Sequence, residues 1–394
     1  MQVSTSQSHE ARASLTQLFA YPFRIFFLSL TLLSLIGIPL WVLQVTGTIQ
    51  LPLAMPGMLW HQHEMLFGFL SAAIAGFLLT AVCVWTGTER THGFRLVLLW
   101  GIWLAARILL TLGGDLPVWL VQGINLAFLP LVMLDAGWRV WHARQSRQIM
   151  ILVVLGMLWL MQIGFIVRLD PVYASGALVM GMALIGIIGG RITPAFTAGW
   201  LRRNGQEGDR VRVVPALDMA TVFALILLLA SLVTGWTVVT AGLAVIAAVL
   251  MLVRLYHWKG WLARQEPLLW ILHLSILWVP VALILLAGHL TLGWPASAWT
   301  HAAGTGAIGC LILGVIARVS LGHTGRPLRL PSGMVLAFIA IHVAALVRVI
   351  TAFQGMPWHA GIALSGLLWT LAYAIFLAIY TGILARPRAD GKPG

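Results

Sequence analysis

The sequence predicts an all-α, polytopic membrane protein of about twelve transmembrane helices with both termini in the cytoplasm. Three observations carry this. Of the 394 residues, 60% are hydrophobic and only 9% charged, with a mean hydropathy of +0.95, whereas a soluble domain is nearer a quarter charged. The apolar residues gather into runs close to the roughly 20 residues that cross a bilayer as a helix. The basic residues fall in alternate connections, as the positive-inside bias requires.

Taken in order, the runs are about 19–45, 60–84, 94–112, 117–139, 148–168, 173–198, 213–234, 236–257, 267–287, 299–321, 330–352 and 358–384. The polar stretch Met1–Gln17 lacks the charged-then-apolar start of a removable signal peptide, so the run from Phe19 reads as a retained anchor. With the N-terminus inside, the inner connections carry Arg90 and Arg95, then Arg139, Arg144 and Arg147, then Arg202, Arg203, Arg210 and Arg212. They continue with Arg254, Lys259 and Arg264, then Arg326 and Arg329, and the tail adds Arg386, Arg388 and Lys392. The outer connections carry almost no basic residues. A different helix count would scramble this alternation. The reading is therefore one transmembrane domain, 19–384, between cytoplasmic tails 1–18 and 385–394. The net charge of +13 is this topological bias and implies no nucleic-acid partner.

An internal repeat organises the chain. Setting His63 over His301, a shift of 238 residues, brings Gly68 onto Gly306, Gly76 onto Gly314, Thr86 onto Thr324 and Gly87 onto Gly325 without a gap. The two copies are the second and tenth runs, eight apart, which predicts three pseudo-repeats of four helices, about 19–139, 148–257 and 267–384. The middle copy is then the sixth run. Its Arg191-Ile192-Thr193 resembles Arg318-Val319-Ser320, but Tyr173 and Ala174 stand where the histidine would be. In this register Cys83 and Cys310 differ by roughly 16 Å of depth, too far for a disulfide, which needs Cα atoms within about 7 Å.

Charged groups are too few for conventional acid–base catalysis, and no phosphate loop or paired CxxC is present. Histidine is the informative residue. His61 and His63 open the second run and His301 opens the tenth, all from the outer side; His342 lies within the eleventh and His273 within the ninth. Imidazole ligates haem iron and suits copper. His61 and His63 project about 200° apart on a regular helix, so only one of them faces a given centre. The repeat selects His63, opposite His301, for haem; His61, His342 and His273 remain for copper or a second haem. Arg107, Arg168 and Arg348 are the arginines of the outer half. Each either snorkels to the interface or receives an anionic group such as a haem propionate or a substrate carboxylate. Arg348 shares a helix with His342 and is the first choice.

The motifs LFAYPFRIFFL (18–28), WHQHEMLFGF (60–69), AGFLLTAV-x-x-WTG (75–87), GRITPAFT (190–197) and LGVIARVSLGHTGRPL (313–328) resemble those of the NnrS family over roughly 15–385. The resemblance implies a haem- and copper-containing protein of a bacterial inner membrane, linked to nitric oxide metabolism or resistance. It brings no ligand assignment and names no redox partner. The alternative is a secondary transporter without metal, with polar residues such as Asn125 and Gln162 lining a path. Against it, both repeat copies run from outside to inside, and matched histidines have no role in it.

Overall fold

The computed structural model describes residues 14–392; the first thirteen residues of the predicted tail 1–18 and the last two of the tail 385–394 lie outside it. Among the described residues every regular element is helical, and twelve helices are long and apolar enough to cross a membrane. The first six are Pro22–Val45, Gly57–Thr86, Gly93–Leu112, Val118–His142, Ser146–Arg168 and Pro171–Arg203. The rest are Pro215–Val233, Thr237–Trp258, Pro267–Leu292, Ala296–His323, Met334–Ala352 and Trp358–Ala385. Cys83 and Cys310 are unbridged.

The span boundaries are set by local chemistry that the hydropathy runs only approximate. Pro22, Pro171, Pro215 and Pro267 each sit in the first turn of their spans. There the missing N–H costs nothing and the fixed φ favours the helix. Pro56, Pro117, Pro295 and Pro357 stand one residue earlier, at the N-caps of four others. Gly87 and Gly293 close the second and ninth spans at φ +66 and +71, the left-handed conformation of a helix C-cap.

Consecutive spans pack on one another, and the twelfth packs back on the first, so the bundle closes. The closing seam is partly polar. Trp369 Nε1 donates to Ser34 Oγ at 2.9 Å, and the Arg24 guanidinium donates to the carbonyls of Leu384 and Arg386. The second, sixth and tenth spans, 30, 33 and 28 residues long, are the most enclosed.

Each of these three spans contains a π-helical segment: Glu64–Phe69, Ile185–Gly189 and Ala302–Gly309. A π turn opens the i→i−4 ladder and frees carbonyls, which hydrocarbon cannot satisfy. Side chains from other spans take them. Arg107 Nη1 and Trp103 Nε1 donate to the Phe67 and Gly68 carbonyls at 2.9 and 3.0 Å. Arg254 Nη2 donates to Gly186 O at 2.7 Å, and the Tyr373 hydroxyl donates to Gly309 O at 3.0 Å. The loop charges, which would place both termini inside, yield a direct expectation. A reporter active only in the cytoplasm, fused after Gly293, stays silent; activity there would invert the topology.

Candidate functional site

The N-terminal end of the second span supplies two neighbouring polar clusters, because His61 and His63 project to opposite sides of it. The first is built on His63 and Glu64, 0% and 1% exposed. Glu64 Oε2 lies 2.9 Å from Arg107 Nε on the third span. The remaining guanidinium nitrogens donate to Phe67 O and, at 2.7 Å, to Asn125 Oδ1. The Asn125 amide donates in turn to Val121 O at 2.8 Å. Gly68 is required here: a Cβ would stand 2.9 Å from Arg107 Nη1 and 3.1 Å from Glu64 Oε2.

His63 is enclosed by this network. The Gln162 amide nitrogen lies 3.4 Å from His63 Nε2 and donates to Asn125 O at 3.2 Å. Because an amide nitrogen only donates, His63 Nε2 is the acceptor and Nδ1 carries the proton. That Nδ1 faces Glu64 Oε1 at 3.5 Å. The rings of Phe67 and Phe165 cover the imidazole at centroid distances of 5.2 and 6.1 Å. Asn125 and Gln162, which could have lined a transport path, are spent on Arg107, His63 and backbone carbonyls.

The second cluster holds His61, His301 and Arg348. His301 lies within electrostatic range of both His61 and Arg348, and His61 within range of Arg348, whereas the charged neighbours of His63 are Glu64 and Arg107. His61 stacks flat on Trp41 at 4.6 Å between ring centroids. His301 Nδ1 lies 2.8 Å from Ser297 O, so it donates there and leaves Nε2 as the basic nitrogen. Among the described residues Arg348 has no hydrogen bond and no ion pair. It lines an outward-opening cavity of about 790 Å³ with Ser297, Thr351, Met356 and Trp358, a volume in the range of ligand sites.

The other sequence-selected residues lie apart from these clusters. His342 Nδ1 accepts from Trp278 Nε1 at 3.1 Å, and its Nε2 is sealed without a partner. His273 Nε2 is 2.9 Å from Thr197 Oγ1 in the inner half. Arg168 ends the fifth span in an exposed position. Among the described residues no group of three or more His, Cys, Asp or Glu side chains is gathered closely enough to hold a metal ion.

Sequence reasoning missed the Glu64–Arg107 pair. The signal was available: opposite charges stand at similar depth from the outer ends of consecutive antiparallel spans, and an intramembrane charge needs a partner. A family model described as NnrS protein matches residues 17–388, nearly the whole chain. No curated protein matches the chain.

The pair generates a stability prediction. Glu64→Gln leaves the Arg107 guanidinium buried without its counter-charge and should cost about 3–5 kcal/mol, read from unfolding of the purified protein in detergent. Glu64→Leu combined with Arg107→Met should recover only part of that loss: the apolar pair abandons no charge, but it leaves the Phe67 carbonyl and Asn125 Oδ1 without their donor. A loss below about 1 kcal/mol for Glu64→Gln, the range of an exposed pair, would contradict this.

Proposed function

The chain belongs to the NnrS family, a family of membrane proteins linked to nitric oxide, and from that premise we propose that the His61–His301–Arg348 cluster is its haem-binding position. The carrying observation is His301, whose Nδ1–H is committed to Ser297 O, leaving Nε2 free within electrostatic range of a second imidazole and of an arginine that has no ion pair among the described residues. An imidazole with one nitrogen fixed by a backbone carbonyl is the usual state of a metal ligand. His61 is the second ligand in this reading, stacked on Trp41, which limits rotation of its ring. Arg348 supplies a cation for a carboxylate at the mouth of the cavity. Bound haem would supply an iron able to exchange an electron or, with a ligand position open, to take a diatomic molecule.

His63, which the repeat had set against His301, has a different role in this proposal. Its Nε2 accepts from Gln162 and its Nδ1–H faces Glu64, so neither nitrogen is free for iron. It supports the ion pair that anchors the second and third spans. No copper ligands are assigned: among the described residues no three His, Cys, Asp or Glu side chains come together. The protein is a multi-pass membrane protein. We assign it to the inner membrane of a bacterium, with the haem position toward the outer face.

The test is the haem-to-protein ratio of purified variants, with membrane insertion measured separately. His301→Ala and His61→Ala should each lose at least about tenfold in haem retention, the scale of one lost coordinating contact. His63→Ala should retain haem in the protein that folds. Haem lost from His63→Ala but kept in His61→Ala would reverse the assignment. A wild-type protein without a Soret band under haem-replete growth would return the reading to a transporter.

A further inference from the structure

Toward the inner end of the tenth span stands a cation that the outer haem position does not use. Arg318 is only 7% exposed. Its sole described contact is the Phe196 ring of the sixth span, 4.0 Å below the guanidinium. Its Nε is sealed from solvent without a hydrogen-bond partner, and no carboxylate forms an ion pair with it among the described residues. The three other buried arginines are compensated: Arg107 by Glu64 and Arg254 by Asp218, at 2.9 and 2.7 Å, and Arg24 by the carbonyls of Leu384 and Arg386. Arg191, which the repeat sets over Arg318, donates to Gln148 Oε1 and Arg147 O at 2.7 and 2.9 Å. Among the described residues, Arg318 alone of these five has no hydrogen bond and no ion pair.

The surroundings favour an anion. Glu266 and Arg203 are the charged groups that act on Arg318. Glu266 acts from a distance without forming an ion pair, one of its oxygens accepting from Leu268 N at 3.1 Å as an N-cap, and Arg203 adds a second positive charge. One turn before Phe196, Thr193 is fully buried and its hydroxyl also lacks a partner. One residue after Phe196, Thr197 bonds His273 at 2.9 Å. An idle hydroxyl thus stands one turn along the sixth span from the ring on which the guanidinium rests. Arg318 and His301 lie 17 positions apart on one helix, roughly 25 Å at ~1.5 Å per residue, so this is not the haem position.

We propose that Arg318, with Thr193, binds a phosphate-type oxyanion at the inner membrane face. An unpaired cation at this depth is costly, and the guanidinium fork matches two oxygens of such a group. The group is either the headgroup of an anionic phospholipid or free phosphate, and the remaining 7% exposure is its route of approach.

The experiment uses full-length protein in detergent, stripped of lipid. Its unfolding temperature is followed against phosphatidylglycerol or phosphatidylcholine in mixed micelles, and against inorganic phosphate at constant ionic strength. The wild type should gain about 3–5 °C at saturating ligand, and Arg318→Gln should lose that gain. A response to phosphatidylglycerol but not to phosphate identifies the lipid headgroup; a response to inorganic phosphate identifies the free anion. If Arg318→Gln does not insert, Arg318→Lys carries the test. It keeps the charge, loses the fork, and should bind about tenfold more weakly. No response from the wild type to either ligand, or equal affinity in wild type and variant, would overturn the proposal.

Discussion

A charge inside a bilayer must be neutralised, and so must a backbone carbonyl that a helix has released. This protein meets both needs with the same side chains. Arg107 neutralises Glu64 and takes the Phe67 carbonyl that the π turn frees. Arg254 neutralises Asp218 and takes the Gly186 carbonyl. Each arginine therefore fixes both the position of a neighbouring span and the irregular turn against which it rests. The outer cluster depends on this, because the Glu64 anchor determines which way the helix bearing His61 and His63 is turned.

The three central spans share a way of handling irregularity. All are long, all are strongly enclosed, and all contain a π turn whose carbonyl bonds a side chain from another span. They stand four spans apart in the chain. We propose that this pattern reflects the three four-helix units inferred from the sequence, with the middle unit keeping the architecture and lacking the histidine. The arginine that answers a π turn is itself unevenly distributed: the third π segment is answered by Tyr373.

Much of the fold was legible in the sequence because hydrocarbon enforces it. Span number followed from apolar run length and loop charge, and the proline and glycine positions refine the ends by a few residues. The site was legible only in part. That His61 and His63 serve different sides follows from helix geometry alone. Which of them meets His301 does not, because a gapless alignment equates sequence offset with angular position. A π turn breaks that equivalence: it inserts extra residue into the helix and rotates what precedes it. The His61–His63 pair and His301 each lie just ahead of a π segment, and those segments differ, spanning Glu64–Phe69 and Ala302–Gly309. The roles of Asn125 and Gln162 were hidden for a related reason: they are set by neighbours on other spans, which periodicity within one span does not report.

The central claim is that His61 and His63, two positions apart, divide their work: one faces the haem and the other supports the ion pair. Electron paramagnetic resonance of the oxidised, purified protein addresses this most directly, because it reads the axial ligands rather than haem content. The account predicts a low-spin, two-imidazole signal in the wild type. It should persist in folded His63→Ala and convert to a high-spin signal in His61→Ala that retains residual haem. A wild-type low-spin signal that survives in His61→Ala and disappears in His63→Ala would contradict it.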